Sequence, residues 1–147
     1  MAGSRSVIPI EHIDQRILLI RGHRVIIAAD LAELYGVPTK ALNQAVKRNA
    51  ERFPTDFAFR LTRREKTEVV TNCDHLAKLR FSPILPYAFT EHGAIMAANV
   101  LNSRRAVEAS VLVVRAFVRL RQMLATHSEL AQKLAELEER IGTHDGA

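Results

Sequence analysis

The chain has a single cysteine, Cys73, among 147 residues. One thiol cannot close an internal disulfide or build a cysteine-rich zinc knuckle, which predicts a reducing, cytoplasmic setting. No apolar run approaches the roughly 18 residues that a membrane span requires, so no membrane partner is expected. The opening MAGSRSVIPIEHID lacks a continuous apolar stretch and a cleavage-like pattern, so no secretory leader is expected. Catalytic signatures are missing as well: there is no G-x-S-x-G, no phosphate loop and no H-E-x-x-H. The six histidines, at 12, 23, 75, 92, 127 and 144, are scattered rather than gathered. Cys73 and His75 have no second pair at a zinc-like spacing, and Glu91 suits the first turn of a helix without any chemistry. No metal site, cofactor or enzymatic activity is expected.

Apolar residues make up 48% of the chain, enough for a real core, and the length suits one domain with an appended element. The net charge is +5. All of it resides in residues 40–66, where eight basic residues (Lys40, Lys47, Arg48, Arg52, Arg60, Arg63, Arg64, Lys66) face three acidic ones. Such a focus on one stretch points toward a polyanion, although solvated basic faces are common.

The pattern along the chain predicts an α+β domain. RILLIRGHRVII (16–27) reads as a β-hairpin turning at Arg21-Gly22-His23. Asp30 with Glu33 forms a capping box for a helix that stops at Gly36. Val37-Pro38 makes an extended turn, and Thr39 caps a second helix running to about Arg52. FAFRL (57–61) and LPYAF (85–89) alternate as short strands that can pair, and Thr62 with Glu65 caps a short helix between them. Residues 71–83 show no period and read as an exposed loop. Thr90 caps a helix to about Leu101, Asn102-Ser103 interrupts it, and one long helix follows to about Ile141, ending at Gly142.

The pair around Gly36 meets the requirements of a helix-turn-helix. Ala32 is a small residue where two helices cross, Gly36 makes the turn, and Leu31, Tyr35, Val37, Leu42 and Ala45 fall inward. Thr39, Lys40, Asn43, Gln44 and Lys47 are left facing out. Asn and Gln can pair with an adenine edge, and Lys can reach guanine acceptors or phosphate. Thr39 sits where backbone N–H groups can meet a phosphate. Arg48, Arg52, Arg60, Arg63 and Arg64 then serve as backbone clamps. The bland alternative is an ordinary polar helix face.

The stretches DLAELYGV, LNQAVKRNAERFP, DFAFRLT, YAFTEHG and VLNSRRA resemble the ORF-six-N family, a KilA-N-type DNA-binding domain of phages and bacterial mobile elements. The resemblance covers about residues 12–122. It implies a mixed α+β domain that binds DNA, with Leu42, Asn43, Val46, Lys47, Arg48 and Asn49 in its most characteristic motif. It implies no catalytic role, and the segment 71–83 matches nothing beyond a variable loop.

The last helix carries an a/d ladder: Ala109, Val113, Ala116, Leu120, Met123, His127, Leu130, Leu134, Leu137 and Ile141. Only His127 breaks the apolar seam. Up to about Leu124 the helix is apolar nearly all round and should pack on the domain. From Thr126 the seam narrows, so residues 123–147 read as an extension that pairs with another chain, with Met123, Leu130, Leu134, Leu137 and Ile141 as dimerisation residues. The competing reading is a helix folded back on its own domain.

Together these features predict a cytoplasmic, homodimeric DNA-binding protein, a phage or mobile-element regulator or antirepressor, that docks helix 39–52 in the major groove. A protein-interaction adaptor acting through the terminal helix is the alternative, and a metal-dependent nuclease is a distant third.

Overall fold

The computed structural model describes residues 10–145, with side chains described for 12–139. The leader reading at residues 1–9 and the Ile141 side chain therefore lie outside the described residues.

Helix α1 (Ile10–Arg16) leads directly into the hairpin β1 (Ile17–Ile20) and β2 (His23–Ile27). Its two-residue loop has both Arg21 (φ 53°) and Gly22 (φ 77°) in the left-handed region, the conformation whose twist matches a tight antiparallel ribbon. Helices α2 (Ala28–Tyr35) and α3 (Thr39–Arg48) follow, then a 3₁₀ turn at Ala50–Arg52 and strand β3 (Ala58–Arg60). Helix α4 (Arg63–Asn72), a 3₁₀ run (Asp74–Phe81), β4 (Tyr87–Phe89), α5 (Glu91–Leu101) and the long α6 (Arg104–Asp145) complete the described residues.

The four strands form one antiparallel sheet in the order β1-β2-β4-β3, so the two predicted short strands do pair. Strict alternation sends successive side chains to opposite faces. Ile26, Ala58 and Phe89 join α1, α2, α3, α5 and the first part of α6 in the larger core, while Val25, Ile27, Phe59 and Ala88 pack with Val69 and Leu76 on the other face. The sheet is thus covered on both sides, and the fold is of the mixed α+β class that the sequence pattern predicted.

Local chemistry sets most boundaries. Gly36 closes α2 with φ 71°, its N–H bonded to Glu33 O at 3.2 Å while the Val37 N–H reaches Ala32 O at 3.0 Å, the paired bonds of a Schellman cap. The Thr62/Glu65 capping box on α4 forms as predicted, and the Thr90 hydroxyl accepts from Gly93 N–H. Asn102 ends α5 in the left-handed region (φ 49°), and the Ser103 hydroxyl accepts from Ala106 N–H to restart the chain as α6.

Five sequence expectations are corrected. Asp30 is not a cap: α2 starts at Ala28, directly off β2 and without a side-chain cap, so Asp30 lies in its first turn and is buried. Thr39 is the first residue of α3 rather than its cap, because the Pro38 carbonyl accepts the opening bonds from Ala41 and Leu42. Helix α3 ends at Arg48, where the Asn49 side chain donates to Ala45 O at 2.8 Å, and Ala50–Arg52 is 3₁₀. The supposed loop 71–83 holds the end of α4 and the 3₁₀ run, whose three-residue turns leave no α-helical period to read. Finally, α6 passes through Gly142, and its described side chains from Arg121 to Glu139 are all exposed, starting a little before the expected departure at Leu124.

Candidate nucleic-acid interface

Helix α3 buries Leu42 and Val46 and half-buries Ala45. With those positions inward, Lys40, Gln44 and Lys47 form an exposed ridge, with Thr39 and Asn43 half-buried along its flank. This is the face the spacing predicted.

The ridge does not stand alone. Thr39, Lys40, Asn43, Gln44 and Lys47 form one wall of a cleft of about 830 Å³. Leu79, Ser82, Ile84, Pro86 and Tyr87 line it opposite, Ala28 and Ala29 contribute from the start of α2, and Arg60 enters from β3. No acidic side chain is among these lining residues.

Sheet register explains Arg60. It lies directly across from Tyr87 in the β3–β4 ladder, so both side chains leave the sheet on the same face. Its guanidinium sits 4.4 Å from the Tyr87 ring centroid and donates to Leu85 O at 2.7 Å. A side chain read as a free phosphate clamp is instead held over an aromatic ring.

A second cavity, about 500 Å³, lies beside the first and shares Ser82 with it. Arg63, Lys66 and Arg80 line it, again with no acidic residue. Lys66 donates to Ser82 O, tying α4 to the segment that divides the two cavities. The structure therefore brings six of the ten predicted contact residues to one cleft and Arg63 to its neighbour. Arg48, Arg52 and Arg64 are exposed but line neither. Within the characteristic motif, Leu42 and Val46 are core and Asn49 is a helix terminator, so only Asn43, Lys47 and Arg48 remain for contacts.

The opposite wall escaped sequence reasoning. It is held by the buried Asp30 carboxylate, which pairs with Arg16 Nη1 at 2.9 Å and His75 Nε2 at 3.0 Å. Burial pushes the Asp30 carboxyl up, while His75 and Arg16 oppose that shift. His75 lies in the first turn of the 3₁₀ run that leads to Leu79 and Ser82, so this node fastens that end of the wall to α2 across 45 residues of sequence. The available signal was Lys78 and Arg80, two further basic residues in a stretch set aside as variable. Cys73 beside them is half-buried, and burial with the charges of Asp30 and Asp74 raises its thiol, away from a reactive thiolate. Among the described residues no group of three or more His, Cys, Asp or Glu is placed to hold a metal ion, and no helix is long and apolar enough to cross a membrane.

No curated protein and no solved structure matched the chain. A family model for the ORF6N domain matches residues 15–100, a span running from the hairpin through both helices and the sheet into α5, and including every residue that lines the cleft. With more than half its length inside that match, the chain belongs to the ORF6N domain family.

Proposed function

We propose that this is a DNA-binding protein of the phage-related regulatory kind, which presents the Lys40–Gln44–Lys47 ridge to the major groove. The groove, about 12 Å wide, admits a helix, and amide side chains on the ridge can read base edges. The observation that carries this reading is the grouping of five polar and basic side chains of α3 in one acid-free wall. Arg48, Arg52 and Arg64 neutralise flanking phosphates and set affinity rather than sequence preference. The family match supports DNA binding at the level of class. Regulation follows from occupancy of DNA, with no catalytic step, in the cytoplasm.

The same reading includes a homodimer paired through α6. Its support is the run of exposed apolar residues past the domain: Met123, Leu130, Leu134 and Leu137 are 49%, 53%, 58% and 53% exposed. That face also supports the second reading, an adaptor that docks protein. Fluorescence anisotropy with random-sequence duplex DNA over a salt series, wild type beside Lys40→Ala/Lys47→Ala, tests the DNA reading. Steep salt dependence is expected, with the slope of log K against log salt reduced by about 2 in the double variant. Absence of binding at low salt sinks it in favour of the adaptor.

A further inference from the structure

The cleft beside the ridge is too small for a duplex, yet its volume of about 830 Å³ lies within the roughly 300–1,000 Å³ range of small-ligand sites. Its walls differ in chemistry. One carries the amides of Asn43 and Gln44 with Lys40 and Lys47; the other is apolar, with Ile84, Pro86 and Tyr87. The cleft is also lined by a planar guanidinium, Arg60, which already sits over the Tyr87 ring and is fixed by its bond to Leu85 O. Tyr87 engages that guanidinium from one side, and Arg60 also lines the cleft, where the rest of its surface can meet another flat group.

Two more observations bear on what fits there. Asn43 Oδ1 is buried without a hydrogen-bond partner among the described residues, so the amide must turn for that oxygen to meet a base edge, and gains a bond when it does. Phe81, next in sequence to the cleft-lining Ser82, is 85% exposed, and Ile84 is 57% exposed. Apolar side chains at the edge of a basic surface are what a protein uses to part a base stack.

We propose that the cleft receives one unpaired nucleotide of a bound nucleic acid. Its base stacks on the Arg60–Tyr87 pair, its edge meets the Asn43 and Gln44 amides, and its phosphates lie near Lys40 and Lys47. Stacking on aromatic or guanidinium planes and pairing at an exposed base edge is how splayed-out nucleotides are held. This rests on the reading of α3 as a nucleic-acid contact and adds the class of nucleic acid: one with an unstacked base, whether extrahelical in a duplex or in a single strand.

The test is anisotropy at one fixed salt concentration with three labelled oligonucleotides: a perfect duplex, the same duplex with a one-nucleotide bulge, and the single strand. Wild type is compared with Arg60→Lys, which keeps the charge and removes the plane, and with Phe81→Ala, an exposed change that leaves the core untouched. Wild type should bind at least one unpaired form about tenfold more tightly than the duplex, a loss typical of one stacking contact. Arg60→Lys should abolish that preference while duplex affinity holds. Preference for the bulge, reduced in Phe81→Ala, identifies an extrahelical base; preference for the single strand alone identifies that source. Equal binding of all three forms, or a preference that survives Arg60→Lys, overturns the proposal and leaves duplex binding standing. If nothing binds, both readings fall.

Discussion

Arg21 and Glu65, 44 residues apart, form a two-pronged ion pair, with Arg21 Nε to Glu65 Oε2 at 2.7 Å and Nη2 to Oε1 at 2.8 Å. The pair joins the hairpin turn to the capping box of α4, since Glu65 Oε1 also accepts from Thr62 N–H. Bonding to Arg21 is the main reason that Glu65 is held down at about 2, below its ordinary 4.5. A depressed carboxyl adds stability above its unfolded value and loses it as pH falls toward the folded one. Glu65→Gln, which keeps an acceptor for the cap, should therefore lower the urea midpoint at pH 7. The gap from wild type should narrow as pH drops below about 4.5. A gap that stays constant from pH 7 to 3 contradicts this account.

Gly93 is fixed by close approach rather than by backbone angle. A Cβ there would run into the Phe57 carbonyl oxygen, a backbone atom that already accepts from Thr90 N–H at 3.0 Å and cannot retreat. Gly93→Ala should cost about 3 kcal/mol, the upper range for overpacking. Gly22 makes the contrast: its φ is +77° but nothing lies within 4 Å, so Gly22→Ala should cost about 1 kcal/mol from backbone strain alone. Calorimetric melting of the two variants checks the order, and a milder effect at Gly93 than at Gly22 contradicts it.

These residues also mark what was legible in the sequence. Hairpin, turn glycine, the caps at Thr62 and Thr90 and the alternating strands depend on near neighbours, so their signals survive in one dimension. The inward and outward faces of α3 were legible for the same reason, since a 3.6-residue period needs no partner to be seen. The cleft was not. Its far wall starts at Leu79, in a 3₁₀ run whose place depends on His75 reaching a carboxylate 45 residues earlier, and Asp30 itself looked like a cap because local pattern cannot announce burial. Arg60 was read as a clamp because cross-strand register with Tyr87 is a tertiary fact.

That node yields its own prediction. His75→Ala leaves Asp30 Oδ2 without its partner while Arg16 still holds Oδ1. The 3₁₀ run contributes only Leu76 as a fully buried side chain, with Leu79 packed at the edge of the smaller core, so the His75 bond is a substantial part of what holds its first turn. Hydrogen exchange should accelerate at Leu76 and Ser82, whose N–H groups bond to Cys73 O and Leu79 O, with α3 unchanged. Equal protection in variant and wild type would show that the wall stands without the tether.

Helix α6 decides between a lone domain and a pair. Its 42 residues span about 63 Å at 1.5 Å per residue, and every described side chain from Arg121 to Glu139 is exposed. The first part is anchored: Val113, Ala116 and Phe117 are buried, and Arg119 pairs with Asp14 and Arg121 with Glu91. Beyond that point a single helix of this length is marginal in water unless something covers its leucines. Pairing of two copies along the a/d seam would cover Leu130, Leu134 and Leu137 and place two α3 ridges on one two-fold axis. Leu130→Asp/Leu134→Asp should turn a sedimenting dimer into a monomer while leaving the melting of the domain core intact, since neither leucine belongs to that core. It should also weaken binding to a two-site duplex far more than to a one-site duplex. If wild type already sediments as a monomer, the seam belongs to a different protein, and the adaptor reading gains what the homodimer loses.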